Sequence, residues 1–129
     1  GNGKVYLRVP VYIAKTEEQA REEPRESVMF FYRYLGERIE ASAGMTGARA
    51  IENRAERGAR LQTIDYDEVL RSKIVVGTPS QVVDRLKQLQ AELGLSGILA
   101  ELNCGMRIPH DRVSNTLRML CRDVMPAFR

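Results

Sequence analysis

The sequence predicts an α/β protein with parallel strands, and three observations support that prediction. A strand-like segment opens the chain, and a capped helix with a leucine stripe leads into a second strand-like segment. An amphipathic helix then closes the chain. Strands and helices that alternate in this order are typical of βα units, whose strands lie parallel. With 129 residues, of which 43% are hydrophobic, the chain is long enough for one modest domain.

The first strand is predicted over residues 4–14, where the side chains alternate between two faces. The aliphatic face carries Val5, Leu7, Val9, Val11 and Ile13. The other face carries Tyr6, Arg8, Pro10 and Tyr12. Helices are expected to cover the aliphatic face. Pro10 disfavours a fully bonded position at the centre of a sheet, because proline has no N–H to donate to a neighbouring strand.

Residues 15–73 are predicted to form a helical insertion. Pro24 is expected to interrupt its first helix and restart it. The segment 43–64 is rich in glycine and arginine and has little apolar periodicity. It is therefore predicted to be a mobile loop with one short helix around residues 48–57, and it is interpreted either as a lid or as a solvated connector. A further short helix is expected over residues 65–72.

Residues 74–129 are predicted to form the terminal βα units. Thr78 and Gln81 have the spacing of a capping box around Pro79, which predicts the start of a helix. Its buried stripe is expected to consist of Val82, Val83, Leu86, Leu89 and Leu93. Gly94 occupies the position of a left-handed C-cap, and a second strand is predicted over residues 97–102.

The closing helix is predicted to begin after Pro109 and to stop at Pro126. Its apolar stripe is expected to consist of Val113, Leu117, Leu120, Cys121 and Val124.

Composition excludes several classes of protein. The net charge is +3 and glutamate is interleaved with arginine, so no nucleic-acid surface is predicted. No apolar stretch approaches the roughly 20 residues of a membrane span, so no membrane partner is expected. The two cysteines match no metal or redox spacing, and a reduced, cytoplasmic protein is the expectation.

Three motifs resemble the C-terminal portion of luciferase-like flavin-dependent monooxygenases. The first is AKTEEQA at residues 14–20, where a strand gives way to a helix. The second is GTPSQV at residues 77–82, before the leucine-striped helix. The third is VMPAF at residues 124–128. Their order and spacing extend over nearly the whole chain.

The resemblance implies a (β/α)₈ barrel, also called a TIM barrel, of which residues 1–129 are a single partial domain. Residues 4–14 correspond to the seventh strand and residues 97–102 to the eighth. In that family a reduced flavin, FMN or in some members the deazaflavin F420, binds at the C-terminal mouth of the barrel. It serves the oxygenation of a small organic substrate, or in the deazaflavin members a dehydrogenation. The principal flavin-phosphate contacts and the catalytic histidine of the family belong to earlier strands. No catalytic residue and little independent activity are therefore expected in this chain.

Barrel enzymes place their ligands at the C-terminal ends of the strands. By this argument Tyr12, Asn103 and Met106 are expected to line the cofactor pocket. Strand parity places Arg8 and Glu101 on the same interior face. We expect these two side chains to form an ion pair or a hydrogen-bond network, because an unpaired interior charge is costly. The alternative is that both side chains are simply solvated, as they would be in an open fragment of a barrel.

Several other residues are expected to have structural rather than catalytic roles. Cys104 is expected to be a small pocket-lining residue and His110 an exposed residue in the first turn of a helix, because neither has the partners of a nucleophile or a metal site. Helix capping is the preferred explanation of Gly77, Thr78 and Pro79, with phosphate binding at the helix N-terminus as the alternative.

The sequence is also compatible with a second, non-enzymatic function. A self-associating α/β module would use the open edges of its strands, because unpaired edges readily bind another chain. A homo-oligomer is therefore expected.

Overall fold

We describe the protein from a computed structural model, which defines residues 3–42 and 48–129. Its strands are β1 (Tyr6–Ile13), β2 (Val75–Gly77) and β3 (Gly97–Glu101). Its helices are α1 (Glu17–Glu22), α2 (Arg25–Ser42), α3 (Ala48–Thr63), α4 (Tyr66–Ser72), α5 (Pro79–Leu93) and α6 (His110–Met119). A π-helical turn (Leu120–Val124) and a 3₁₀ turn (Met125–Phe128) follow α6.

The three strands form one parallel sheet in the order β2-β1-β3. The predicted α/β class with parallel strands is thus confirmed. The prediction of two strands was incomplete, because it left out β2. This strand has only three residues, too few for a period-two pattern to be recognised in the sequence.

Pro10 lies in β1, the central strand, and the register explains why it is tolerated there. The backbone N–H of Ala14 donates to the Gly77 carbonyl at 3.2 Å, so even-numbered residues of β1 direct their backbone groups toward β2. Pairing with β2 begins only at Val11, opposite Val75. The N–H that Pro10 lacks would therefore point beyond the start of β2.

The aliphatic face of β1 packs against helices, as predicted. Val9, Val11 and Ile13 are buried against α5 and the C-terminal turns. α5 has the predicted ends, because Thr78 and Gln81 form a capping box and Gly94 takes the left-handed conformation at φ 65°. Local sequence signals were sufficient for the ends of α5, but Leu93 of the predicted buried stripe is exposed.

Residues 48–63 form helix α3, so the short helix predicted around residues 48–57 is present but longer, and the loop predicted to follow it is helix up to residue 63. Residues 43–47 lie outside the described residues. α3 packs along α2 with a close contact between two glycines. A Cβ on Gly36 or on Gly58 would lie 2.7 Å from the other glycine's carbonyl oxygen. The pairing depends on a contact with α2, which the local composition of the segment does not reveal.

The buried stripe of the closing helix also differs from the prediction. Leu117 and Cys121 are exposed, whereas Thr116 and Met119 are buried. Leu120 and Val124, which also belong to the predicted stripe, are buried, so the prediction was wrong for only part of the buried face.

Candidate functional site

The C-terminal half of the sheet's non-helix face is covered by other parts of the chain. Pro24 and Val28, at the start of α2, lie against this face together with Ile108. The space left among them and the strands is a cavity of only about 10 Å³. That volume is at the lower limit for one water molecule, so no ligand fits between these layers.

Tyr12 is buried at this end of β1, and its hydroxyl donates a 2.8 Å hydrogen bond to Glu23 Oε1. Burial and the neighbouring Glu23 carboxylate raise the pKa of Tyr12, which keeps the phenol neutral. Arg112 approaches the same carboxylate from α6, with its Nε 3.6 Å from Glu23 Oε2. Glu23 thus joins β1, the end of α1 and α6.

Asn103 and Met106 lie in the loop that follows β3. The Asn103 side chain accepts a hydrogen bond from the Ile108 N–H at 2.9 Å and donates one to the Ile108 carbonyl at 3.3 Å. Met106 is 83% exposed and has a left-handed backbone with φ 62°. The amide of Asn103 is therefore used inside the loop, and the structure does not bring these two residues to a cavity shared with Tyr12.

Ser27 anchors this loop to α2, which the sequence analysis did not anticipate. Its buried hydroxyl donates to the Cys104 carbonyl at 2.6 Å and accepts from the Arg107 N–H at 3.0 Å. Gly105 adopts φ 89° directly against Ser27, and a Cβ there would overlap the Ser27 carbonyl oxygen. The Cys-Gly pair was the available signal, but its partner lies 77 positions away in sequence.

Thr116 is a second residue that the sequence analysis missed. Its hydroxyl accepts from the Ile13 N–H at 3.2 Å and donates to the Ile13 carbonyl at 3.1 Å. β3 ends at Glu101, opposite Pro10, so Thr116 satisfies the backbone of β1 beyond the last residue of β3. The sequence shows only a threonine within the predicted helix, and its complete burial, which indicates this role, is known from the structure alone.

Arg8 and Glu101 form an ion pair in which Arg8 Nε donates to the carboxylate. The ion pair was expected in the interior, but it lies at the surface, because the Arg8 side chain is 75% exposed. No part of the described chain covers this half of the sheet face. An exposed ion pair of this kind stabilises a protein little.

The remaining candidates are not in reactive surroundings. Burial and the Glu101 charge raise the pKa of Cys104 to about 12, so its thiol stays protonated at neutral pH. His110 is exposed at the start of α6, with Ser114 as a long contact at 3.5 Å. Gly77 has a packing role, because a Cβ there would lie 2.7 Å from the side chain of Gln81. Among the described residues, no cluster of metal-binding side chains is present.

A groove of about 700 Å³ lies beside Tyr12, between α1 and α6. Its arginines are engaged with neighbours: Arg112 with Glu23, Arg118 with Asn115, and Arg122 with Asp123. The groove is open to solvent and is lined by both polar and apolar groups. It contains the Tyr12–Glu23 pair, whose phenol stays neutral because its pKa is raised.

Comparison with known proteins gives one positive result. The model of a family described as luciferase-like monooxygenase matches residues 2–97. The match covers β1 through α5 and ends at the first residue of β3, so the closing motif at 124–128 lies outside it. None of the curated protein sequences matches the chain. Within residues 3–42 and 48–129, no helix has both the length and the apolar character needed to cross a bilayer.

Proposed function

The chain belongs to the luciferase-like monooxygenase family, and on this basis we propose that it supplies the closing βα units of a flavin-dependent monooxygenase barrel. Members of this family generally depend on a flavin, FMN or F420. The parallel order of β1 and β3, joined through a helical insertion, supports an arrangement as neighbouring strands of such a barrel. In this proposal the substrate of the whole enzyme is a small organic molecule.

We further propose that this chain has no flavin-dependent turnover by itself. The single observation behind this statement is the covered C-terminal half of the sheet, where only about 10 Å³ is free. The polar atoms expected to hold a flavin are already bonded, Tyr12 to Glu23 and Asn103 to Ile108. In this chain these polar atoms are therefore not free to hold a flavin, and contact of Tyr12, Asn103 and Met106 with the flavin of a whole enzyme stays a prediction.

Titration with FMN tests the proposal directly. We expect unchanged FMN fluorescence up to several hundred micromolar protein, and no oxygen uptake beyond the buffer rate with chemically reduced FMN. The same titration with F420 covers the deazaflavin members of the family. Saturable quenching with a dissociation constant in the low micromolar range would overturn the proposal. If quenching occurs, comparison of Met106→Ala with Leu117→Ala, an exposed apolar residue on α6, would locate it.

A second function, self-association without catalysis, is favoured by a different observation. β3 is an apolar edge strand that has one partner among the described residues.

A further inference from the structure

The helical insertion contains a groove between α2, α3, α4 and the residue that follows α4. Its volume is about 620 Å³, which is within the range of small-molecule sites in proteins. All the residues that line it lie between positions 32 and 73, and none belongs to a strand. Its walls therefore do not depend on which strands neighbour β1 and β3.

Three cationic side chains line this groove. Arg57 and Arg60 are three residues apart on α3, so they lie on the same face of that helix. Lys73, directly after α4, approaches from the other side of the groove. Glu68 is the only acidic residue among those that line it. Cations thus outnumber carboxylates by three to one in a small space.

These cations lack a carboxylate partner. Arg57 and Arg60 form no ion pair within residues 3–42 and 48–129, although Glu56 lies four residues before Arg60 on the same helix. The Lys73 Nζ lies 5.9 Å from the centre of the Tyr32 ring, a cation–π contact that leaves its charge unbalanced. Like charges that line one groove repel each other, and a bound anion would relieve that repulsion.

The floor of the groove is apolar. Leu61 and Ile64 are 7% and 8% exposed, and Leu35 packs against the same buried cluster. The groove thus combines an aliphatic floor with a cationic rim. A molecule that fits both has an apolar body and an anionic end.

We propose that this groove binds a small organic acid, whose anionic oxygens are held by Arg57, Arg60 and Lys73 and whose apolar part lies on the aliphatic floor. Carboxylate and phosphate groups share this chemistry, because a guanidinium group can donate two parallel hydrogen bonds to the oxygens of either. The proposal concerns binding at the insertion and does not require a flavin.

Titration of the full chain, followed by the shifts of its backbone amide signals in NMR spectra, tests the proposal. Hexanoate and hexyl phosphate are the probes, and hexanol is the neutral probe with the same apolar body. We expect saturable shifts that are largest within residues 57–73, with a dissociation constant of about 1 mM or below for the better anion. Hexanol should bind at least about 10-fold more weakly. The tighter of the two anions identifies the head group.

Substitution of the cations tests their role. Arg60→Gln and Lys73→Gln are each expected to weaken binding of the anion about 10-fold, because each removes a charged donor. Arg38→Gln is the matched control, since Arg38 is exposed on α2 and does not line the groove. It should leave the dissociation constant unchanged. Circular dichroism of the variants checks that the fold is retained.

Any of three results would overturn the proposal: no saturable shifts with either anion, equal affinity for hexanol, or unchanged affinity in both Arg60→Gln and Lys73→Gln. The FMN titration reports separately. The Tyr32 ring is 7% exposed, and no other aromatic ring lines the described groove, so a flavin ring has no surface to stack on there. Quenching of FMN that persists in Arg60→Gln would therefore contradict the proposed function and leave the anion site untouched.

Discussion

The two halves of one sheet face have opposite environments in this protein. At the C-terminal half, Tyr12 and Cys104 are 3% and 5% exposed. At the N-terminal half, Leu99 is 60% exposed and Arg8 extends into solvent. The same strands supply both halves, so strand pattern does not account for the difference. It arises from α2 and the loop after β3, which Ser27 holds together. The burial of a side chain on this sheet face therefore depends on which other segments pack against it.

The largest expected effect is at the covered half, in Gly105→Ala. A Cβ at this position would overlap the Ser27 carbonyl oxygen, and the φ of 89° is unfavourable for alanine. We expect the free energy of unfolding to fall by about 3 kcal/mol or more. Urea unfolding followed by circular dichroism measures this loss.

Gly94→Ala is the matched control for that prediction. Gly94 has a similarly positive φ of 65°, but no heavy atom lies within 4 Å of a Cβ there. A loss of about 1 kcal/mol is expected from the backbone conformation alone. Equal losses in the two variants would show that the contact with Ser27 is unimportant.

Thr116→Val is expected to cost about 2 kcal/mol, because the Ile13 N–H and carbonyl would remain buried without a partner. Thr116→Ser retains the hydroxyl and should lose only about 1 kcal/mol through the missing methyl. Thermal or urea unfolding of the two variants compares them. A serine variant as unstable as the valine variant would contradict the hydrogen-bonding role.

The burial of Cys104 in the covered half should also affect how the free energy of unfolding depends on pH. Burial raises the pKa of Cys104 from 9.0 to about 12. Below pH 9 the thiol is neutral in both the folded and the unfolded chain. Above it, the unfolded thiol loses its proton first, so the free energy of unfolding should fall between about pH 9 and 12. The fall should be shallower in Cys104→Ala, which retains the tyrosines that titrate in the same range.

Thiol labelling provides a simpler measurement of the same contrast. At pH 8 the native protein is expected to react at one of its two cysteines, the exposed Cys121, and to label Cys104 only after unfolding. Rapid labelling of both thiols in the native state would contradict the sealed environment of Cys104.

The smallest effect is expected at the open half. Arg8→Ala removes an ion pair whose arginine side chain is 75% exposed, so the free energy of unfolding should change by about 0.5 kcal/mol or less. Urea unfolding at low protein concentration checks this, with Lys4→Ala as an exposed reference. A loss above about 1.5 kcal/mol would mean that this half of the face is covered in solution.

The sequence predicted the parts of this protein that depend on neighbouring residues. The ends of α5, the break at Pro24 and the burial of the aliphatic face of β1 all follow from patterns within a few residues. The pairing of Arg8 with Glu101 followed from strand parity, although its exposure did not.

The candidate site was predicted less well, because its environment is assembled from distant segments. Tyr12, Asn103 and Met106 were assigned to one pocket from their positions at strand ends. Whether the polar atoms of Tyr12 and Asn103 are free depends on Glu23 and Ile108, which the strand pattern does not identify. Their role as cofactor contacts in a whole enzyme remains a prediction.

The sequence by itself determined the α/β class, the capped helix before β3 and the resemblance that the family match supports, because these reside in local spacing and short motifs. Only the tertiary structure decided that the helix expected around residues 48–57 extends over residues 48–63, that β2 is a strand, and that Thr116 satisfies the backbone of β1. Each of these depends on a partner far away in the chain, such as Gly36, β1 or Ile13. Contacts of that kind acquire their energy only when the chain has folded.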